Sequence, residues 1–229
     1  MADKNSRPSG HADIAESTEI AILDAAEHLF ADHGFDATSV RAIGTKAGVN
    51  PALLHYYFST KEDLLRRVVE RRSSSINSIR RERLLMLFAN SSPTLPTLED
   101  VLEVIIRPTI ELGRDENQGG GSYTRIIHTL SAAKDPRFYR LIADNFDPIA
   151  RYSIECIQRV VPDLSKADAV DCYMSMIQIS FMLMAPTGRA VALADGHKYE
   201  QDAERAIRFA TLFAAAGIRA LAVTRAAPA

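Results

Sequence analysis

Apolar residues recur along this chain at helical spacing, and no stretch alternates as a strand would. Ile22, Ala25, Ala26, Leu29 and Phe30 form one face and predict a first helix over 18–33, ended by Gly34. Phe35, just after that turn, reads as a core plug. Val40, Ile43 and Ala47 make the stripe of a second helix, with Thr38 or Ser39 as its cap and Gly48 as its end. Gly44 is small enough to let two helices cross closely. Asn50 caps a third helix, Pro51 takes the first helical position and Leu54 faces the core. A helix, a tight turn and a second short helix suit a helix-turn-helix, whose second helix enters the DNA major groove.

From Lys61 the pattern stays helical, with Leu64, Leu65, Val68 and Val69 on one side and Arg66, Arg67 and Arg71 on the other. Ser73-Ser74-Ser75 predicts a break before another helix over 76–89. Residues 90–96 read as a loop, and Thr97 with Asp100 starts a helix to about Leu112. The polar stretch 114–121 ends in Gly119-Gly120-Gly121 and reads as a flexible connection; no Gly-Lys-Ser/Thr follows, so it is not a phosphate loop. Tyr123, Ile126, Ile127 and Leu130 define the next helix face. Asp135-Pro136 starts a helix that Pro148 should kink or break before it resumes to Val161. A long apolar helix over 165–193 should bend near Pro186-Thr187-Gly188, Asp195-Gly196 turns the chain, and 199–223 is the last helix. The expected fold is all-α with nine or ten helices. It divides into a disordered arm over 1–16, a helix-turn-helix domain over 17–65 and a larger helical domain over 66–225.

With 229 residues and 47% hydrophobic composition, the chain can hold one large core, or a small domain joined to a larger one. The net charge of −2 gives no overall attraction to nucleic acid. The charge is local instead: from 38 to 83, ten basic residues face four acidic ones. Within that patch Lys46 and Lys61 are candidates for DNA, and Arg80 to Arg83 stay unassigned. Cys156 and Cys172 have no metal-ligand spacing and read as buried thiols of a reducing compartment. The N-terminus has no signal-peptide core, and the longest apolar candidate for a membrane span, Ile177 to Pro186, is short and holds Gln178 and Ser180. The six histidines are scattered, and no catalytic, metal or cofactor pattern stands out, so neither an enzyme nor a cofactor is expected.

The run Ala47-Gly48-Val49-Asn50-Pro51, continuing through His55-Tyr56-Tyr57-Phe58-Ser59-Thr60-Lys61-Glu62-Asp63-Leu64-Leu65, resembles the DNA-binding signature of TetR-type transcriptional repressors. Ile22 to Phe30, then Gly34 to Val40, match that family's first helix and its link to the second. The resemblance covers about residues 18 to 66. It implies a cytoplasmic, ligand-responsive repressor that binds a near-palindromic double-stranded operator as a homodimer. Pro51, Ala52, Leu53 and His55 would lie at the groove floor, with Thr38, Ser39, Tyr56, Tyr57 and Lys61 placed for the phosphate backbone and Lys46 a further DNA-binding candidate. Gly44 stands where the family more often has Ala, and Pro51-Ala52-Leu53 offers few donors, so DNA shape would contribute to readout.

The resemblance further implies that the larger domain binds an effector and dimerises. Its last two long helices would join their copies in a four-helix bundle. Met174, Ile177, Phe181 and Met184 would supply one helix, and the small residues Ala206, Ala210, Ala214 and Gly217 the other. Phe88, Ile105, Thr109, Tyr123, Ile127, Phe146, Tyr152, Met174, Gln178 and Met182 are the candidate pocket residues, chosen where polar groups interrupt apolar faces. Arg125 and His128 are the polar groups that could meet a carboxylate. The effector stays open between a fatty acid or acyl thioester, an aromatic compound and a toxin. A TetR-like activator, or a helical adaptor that binds protein, are the competing readings.

Overall fold

The computed structural model describes residues 10–115, 120–184, 188–195 and 202–226. Among them are ten helices and no strand: α1 (Gly10–His33), α2 (Val40–Ala47), α3 (Pro51–Tyr57), α4 (Lys61–Asn90), α5 (Leu98–Arg114), α6 (Gly120–Ala132), α7 (Pro136–Val160), α8 (Lys166–Met184), α9 (Gly188–Leu193) and α10 (Ala203–Ala226). The chain separates into two compact units, Met1–Glu70 and Arg71–Ala229, and α4 contributes to both. Residues 10–16, expected in an irregular arm, already belong to α1, whose Ala15 carbonyl accepts a hydrogen bond from the Tyr57 hydroxyl at 3.2 Å. The rest of that expected arm, residues 1–9, lies outside the described residues.

In the first unit, local hydrogen bonds set the helix ends. Ser39 Oγ accepts from the Ala42 N–H at 3.1 Å and so fills one of the free donors at the start of α2. Gly48 ends α2 in the left-handed region at φ 72, with the Gly48 N–H on the Thr45 carbonyl and the Val49 N–H on the Gly44 carbonyl at 2.9 Å. Asn50 Oδ1 accepts from the Leu53 N–H at 2.8 Å, and Pro51 opens α3. Ile22, Ala26, Ile43, Leu54, Phe58, Leu64 and Val68 are buried together with Phe35, whose ring lies 5.5 Å from that of Phe30. Gly44 does not serve a helix crossing: a Cβ there would lie 3.0 Å from the Val49 carbonyl, in the turn itself. Gly48→Ala is expected to destabilise this unit by about 1–2 kcal/mol, the cost of a left-handed L-residue. A lower midpoint in thermal unfolding followed by circular dichroism would show it.

In the second unit α5 is central and contacts α6, α7, α8 and α10. Val101, Leu102, Ile105, Ile106 and Ile110 are wholly buried there. The break expected at Ser73-Ser74-Ser75 does not occur, because α4 runs unbroken to Asn90. Serine costs a helix only a few tenths of a kcal/mol more than its neighbours here. Ser73, buried, donates its hydroxyl to Asn145 Oδ1 at 2.7 Å, which ties α4 to α7. Pro148 likewise neither breaks nor ends α7, which is held on both sides of it by the buried Phe138, Ile149 and Ile154. Gly120 and Gly121, expected in a flexible connection, start α6, and Gly120 is buried against the end of α5. The bend expected near 186–188 falls largely on residues 185–187, outside the described residues.

α10 packs on α5 and α8 through Ala206, Ile207, Ala210, Ala215 and Ile218. Ala206 and Ala210 thus serve the subunit's own core, while Phe209, Leu212, Phe213, Leu221 and Val223 are exposed. Arg219 holds Glu99 at the start of α5 through a paired contact at 2.5 and 2.6 Å, and Arg107 binds Glu103, Glu111 and Glu204. These partners hold the Glu99 and Glu204 carboxyls below their ordinary range. By length and composition the segment Ala203–Thr224 of α10 could cross a membrane, although Glu204, Arg205, Arg208 and Arg219 interrupt it, so it is not the uninterrupted apolar run whose absence was expected. Its alanines and other apolar residues with few charges give it that character, and 33% of its most apolar stretch is buried.

Candidate functional site

The first unit presents one exposed surface made by α3 and the flank of α2. Pro51, Ala52, His55 and Tyr56 are exposed on α3, Tyr56 at 82%, and Leu53 is half-buried. The Tyr56 ring meets that of Tyr57 edge-on at 5.4 Å. Lys46 is exposed in the last turn of α2, and Ser39 is exposed at its cap. A hydroxyl whose oxygen caps a helix can still donate its own proton outward.

Three residues assigned to the phosphate backbone are committed elsewhere. Thr38 is only 3% exposed, and its hydroxyl donates to the Gly34 carbonyl at 2.8 Å and the Leu29 carbonyl at 3.1 Å. The Lys61 ammonium donates to the carbonyls of Phe35 at 2.8 Å, Thr38 at 3.1 Å and Asp36 at 3.5 Å, and lies 4.3 Å from the centre of the Phe35 ring. Its three donors are filled. Tyr57 turns its hydroxyl to α1. For Thr38 and Lys61 the physical reason is common: the end of α1 and the loop to α2 leave carbonyls with no helical partner, and these side chains satisfy them, whereas Tyr57 bonds a carbonyl near the start of α1.

The basic patch shrinks in the same way. Arg66 pairs with Asp63 and Glu70, and Arg67 with Glu19. Arg80 lies in the second unit. The exposed cations on α2 are Lys46 and Arg41. Arg41 belongs with the candidate contacts; its place one residue into α2, beside the Ser39 cap, was the available signal.

The second unit encloses a cavity of about 230 Å³ between α4, α5, α6, α7 and α8. Thr109, Tyr123, Ile127, Phe146, Met174 and Gln178, all candidates from the sequence, line it. The other four candidates do not. Ile105 is wholly buried in the core and offers the cavity region only its carbonyl. Phe88 lies under the Arg159 guanidinium at 4.1 Å, Tyr152 faces Arg81 at 4.9 Å, and Met182 is 76% exposed. Arg125 and His128 are exposed: Arg125 reaches Ser122 Oγ at 3.4 Å, and His128 meets the Phe181 ring edge-on. Each of these six lies off the cavity because its helix rotates it outward or into the solid core, which periodicity alone does not separate.

The polar group missed is Arg80. It is 4% exposed and lines the cavity, with Nε donating to the Ile105 carbonyl at 3.0 Å and Nη2 to Thr109 Oγ1. Burial pushes the guanidinium below its ordinary value, offset only by the phenols of Tyr173 and Tyr123. The signal was present: Ile76, Arg80 and Leu84 recur at four-residue spacing, and the two apolar members are core. Burial also raises the thiols of Cys156 and Cys172, the latter only half-buried.

Residues 22–68 match the model of bacterial regulatory proteins of the tetR family, and residues 103–217, half of the chain, match that of the tetracyclin repressor-like C-terminal domain. A helix-turn-helix transcriptional repressor of Mycobacterium tuberculosis is 38% identical over 68 residues, which cover 30% of this chain and 34% of that protein. The regulator BetI of Rhizobium meliloti is 47% identical over 45 residues, 20% of this chain and 22% of that one. The chain therefore spans about a third or less of the length of these curated relatives. Among solved structures, the fatty acid degradation regulator FadR from Bacillus halodurans is similar in fold, with a TM-score of 0.63 at 15% identity over 93% of this chain and 99% of that one. The complex of SmeT with triclosan gives 0.55 at 22% identity, over 87% and 90%.

Proposed function

As the chain belongs to the TetR family of bacterial regulatory proteins, we propose that it is a ligand-responsive transcriptional repressor. It binds a near-palindromic operator as a homodimer and is released by a small amphipathic effector. The observation that carries the DNA-binding part is the capped turn between α2 and α3, which leaves Pro51, Ala52, His55 and Tyr56 exposed on one short helix. A recognition helix this short reads few bases, and a two-fold dimer doubles its contacts on a palindrome. Pro51, Ala52 and Leu53 contact thymine methyls, and the His55 imidazole bonds a base edge. Ser39, Lys46, Arg41 and Tyr56 hold the phosphates. The dimer forms through the apolar residues exposed on α10, Phe209, Leu212, Phe213 and Val223, with Val170, Met174 and Met182 of α8. Such a repressor acts in the cytoplasm.

The effector occupies the cavity of the second unit. SmeT, a repressor of similar fold, forms a complex with triclosan, which supports a small-molecule effector. α4 starts in the first unit and ends in the second, so it is the covalent link through which an effector acts. The effector lowers operator affinity only to the extent that it binds the released state more tightly; a shift from mostly bound to mostly free takes about 5 kcal/mol.

The test is fluorescence anisotropy on promoter DNA from upstream of the protein's own gene, with scrambled DNA as control. Four exposed cations per dimer, Lys46 and Arg41 on each copy, predict a slope of log affinity on log salt of about −3.6, or roughly a hundredfold loss between 50 and 200 mM salt. A steeper slope near −5.4, as six cations would give, means that Lys61 leaves its carbonyls to bind phosphate. Equal affinity for operator and scrambled DNA after random-site selection overturns the repressor reading.

A further inference from the structure

A guanidinium has five N–H donors and keeps its charge in a protein. Arg80 uses two of them, on Ile105 and Thr109, and the remaining three have no protein acceptor among the described residues. No carboxylate stands within ion-pair distance of it there, since the only titratable groups acting on it are the phenols of Tyr173 and Tyr123. Asp147 is the one carboxylate among the residues lining the cavity; its side chain is about half exposed and pairs with Arg151 at 3.4 Å, and its charge acts on Tyr173 but not on Arg80. An unpaired buried cation is costly, and proteins keep one mainly where something else supplies the counter-charge. Here the cation sits at the wall of a chamber whose apolar lining includes Ile76, Leu112, Ile127, Ile142, Phe146 and Phe181, with the neutral polar groups of Tyr123, Thr124, Ser131, Tyr173 and Gln178 among them. Thr109, which helps to fix the guanidinium, lines the same chamber.

We infer that this cavity takes an organic monoanion, a carboxylate that completes the hydrogen bonding of Arg80 joined to an apolar body that fills the chamber. The carboxylate oxygens accept from the free N–H groups of Arg80, in the paired geometry that distinguishes arginine from lysine. The body is held by the surrounding aliphatic and aromatic side chains. Neutral and cationic amphiphiles of the same shape are disfavoured, because they leave the buried charge unmatched. The inference deepens the effector reading and rests on the cavity of the second unit being the effector site.

Binding is read without DNA, by isothermal titration calorimetry on the full chain. The probes are octanoate and 1-naphthoate, each against its own alcohol, 1-octanol and 1-naphthalenemethanol, in one buffer. The expected result is a carboxylate bound at least about tenfold more tightly than its alcohol, as a charge-assisted pair gives. In Arg80→Met the preference disappears, and in Arg80→Lys it survives in weakened form. Neither carboxylate binding, equal binding of acid and alcohol, or a preference that persists in Arg80→Met overturns the inference. If Arg80→Met does not fold, judged by circular dichroism, the acid-to-alcohol ratio of the unaltered protein decides alone. Operator anisotropy separates this inference from the reading beneath it. A carboxylate that binds through Arg80 but leaves the operator complex intact sinks the release mechanism only. An alcohol that binds as tightly and releases the operator sinks the anion only.

Discussion

Replacing Phe209 and Phe213 together by aspartate is expected to turn the protein into a monomer and weaken operator binding by about a hundredfold or more, the loss when two linked half-site contacts become independent. The two rings lie one helical turn apart with centroids 5.8 Å from each other, and both are largely exposed, Phe213 at 59%. Leu212 and Val223 extend the same exposed apolar surface along α10. A contiguous exposed apolar surface of this kind marks an interaction site. Aspartates there place two charges where a second copy would exclude water, and their desolvation opposes association. Neither ring is in the core, since Ala206, Ile207, Ala210 and Ile218 make the contacts of α10 with its own unit, so the monomer keeps its helices. Analytical ultracentrifugation gives the oligomeric state, and anisotropy the operator affinity. A double variant that sediments as wild type, or a monomer with undiminished affinity, removes the α10 dimer from the proposal.

Gly120→Ala is expected to cost more stability than an added methyl group at any of the other described glycines. A Cβ at Gly120 would lie 1.5 Å from the Leu112 carbonyl oxygen and 2.6 Å from its carbon, well inside contact distance of backbone that no rotamer can move. Either α6 shifts away from α5 or the end of α5 unwinds. Overpacking of this sort costs about 3 kcal/mol, which for a domain of this size lowers Tm by about 10 °C. Tyr123, Thr124 and Ile127 of α6 line the cavity, so ligand affinity falls as well. The adjacent residue is the control. A Cβ at Gly121 meets nothing closer than 3.9 Å, so Gly121→Ala is expected to stabilise α6 by a few tenths to about 1 kcal/mol. Differential scanning calorimetry on both variants checks the pair. Equal melting temperatures would mean that α5 and α6 do not approach through Gly120.

The helix-turn-helix was legible in the sequence because its signals are local. Ser39 bonds three residues ahead, Asn50 does the same, and the Gly48 turn closes within a span of six residues. Neighbours in the chain suffice to predict such bonds. The breaks expected at Ser73 to Ser75 and at Pro148 did not occur, for the converse reason. Both rest on local propensities of at most a few kcal/mol, which tertiary packing of α4 and α7 outweighs.

The candidate site divides along the same line. Periodicity brought six of the ten proposed lining residues to the cavity, since it finds which helix faces turn inward. It does not tell a cavity wall from solid core, which is why Ile105 was included and Tyr173 was not. The sequence by itself determined the all-helical class, the reading head, the helix starts at Ser39, Asn50 and Thr97, and the family. The tertiary structure decided which charges are free to act. Lys61 is spent on carbonyls 23 to 26 residues back, whereas Arg80 gives two of its donors to Ile105 and Thr109, 25 and 29 residues ahead, and keeps the others for the cavity that it lines. A cation's role depends on what surrounds it in three dimensions, because desolvation and hydrogen bonding to distant segments, rather than its neighbours in the chain, set what its charge can still attract.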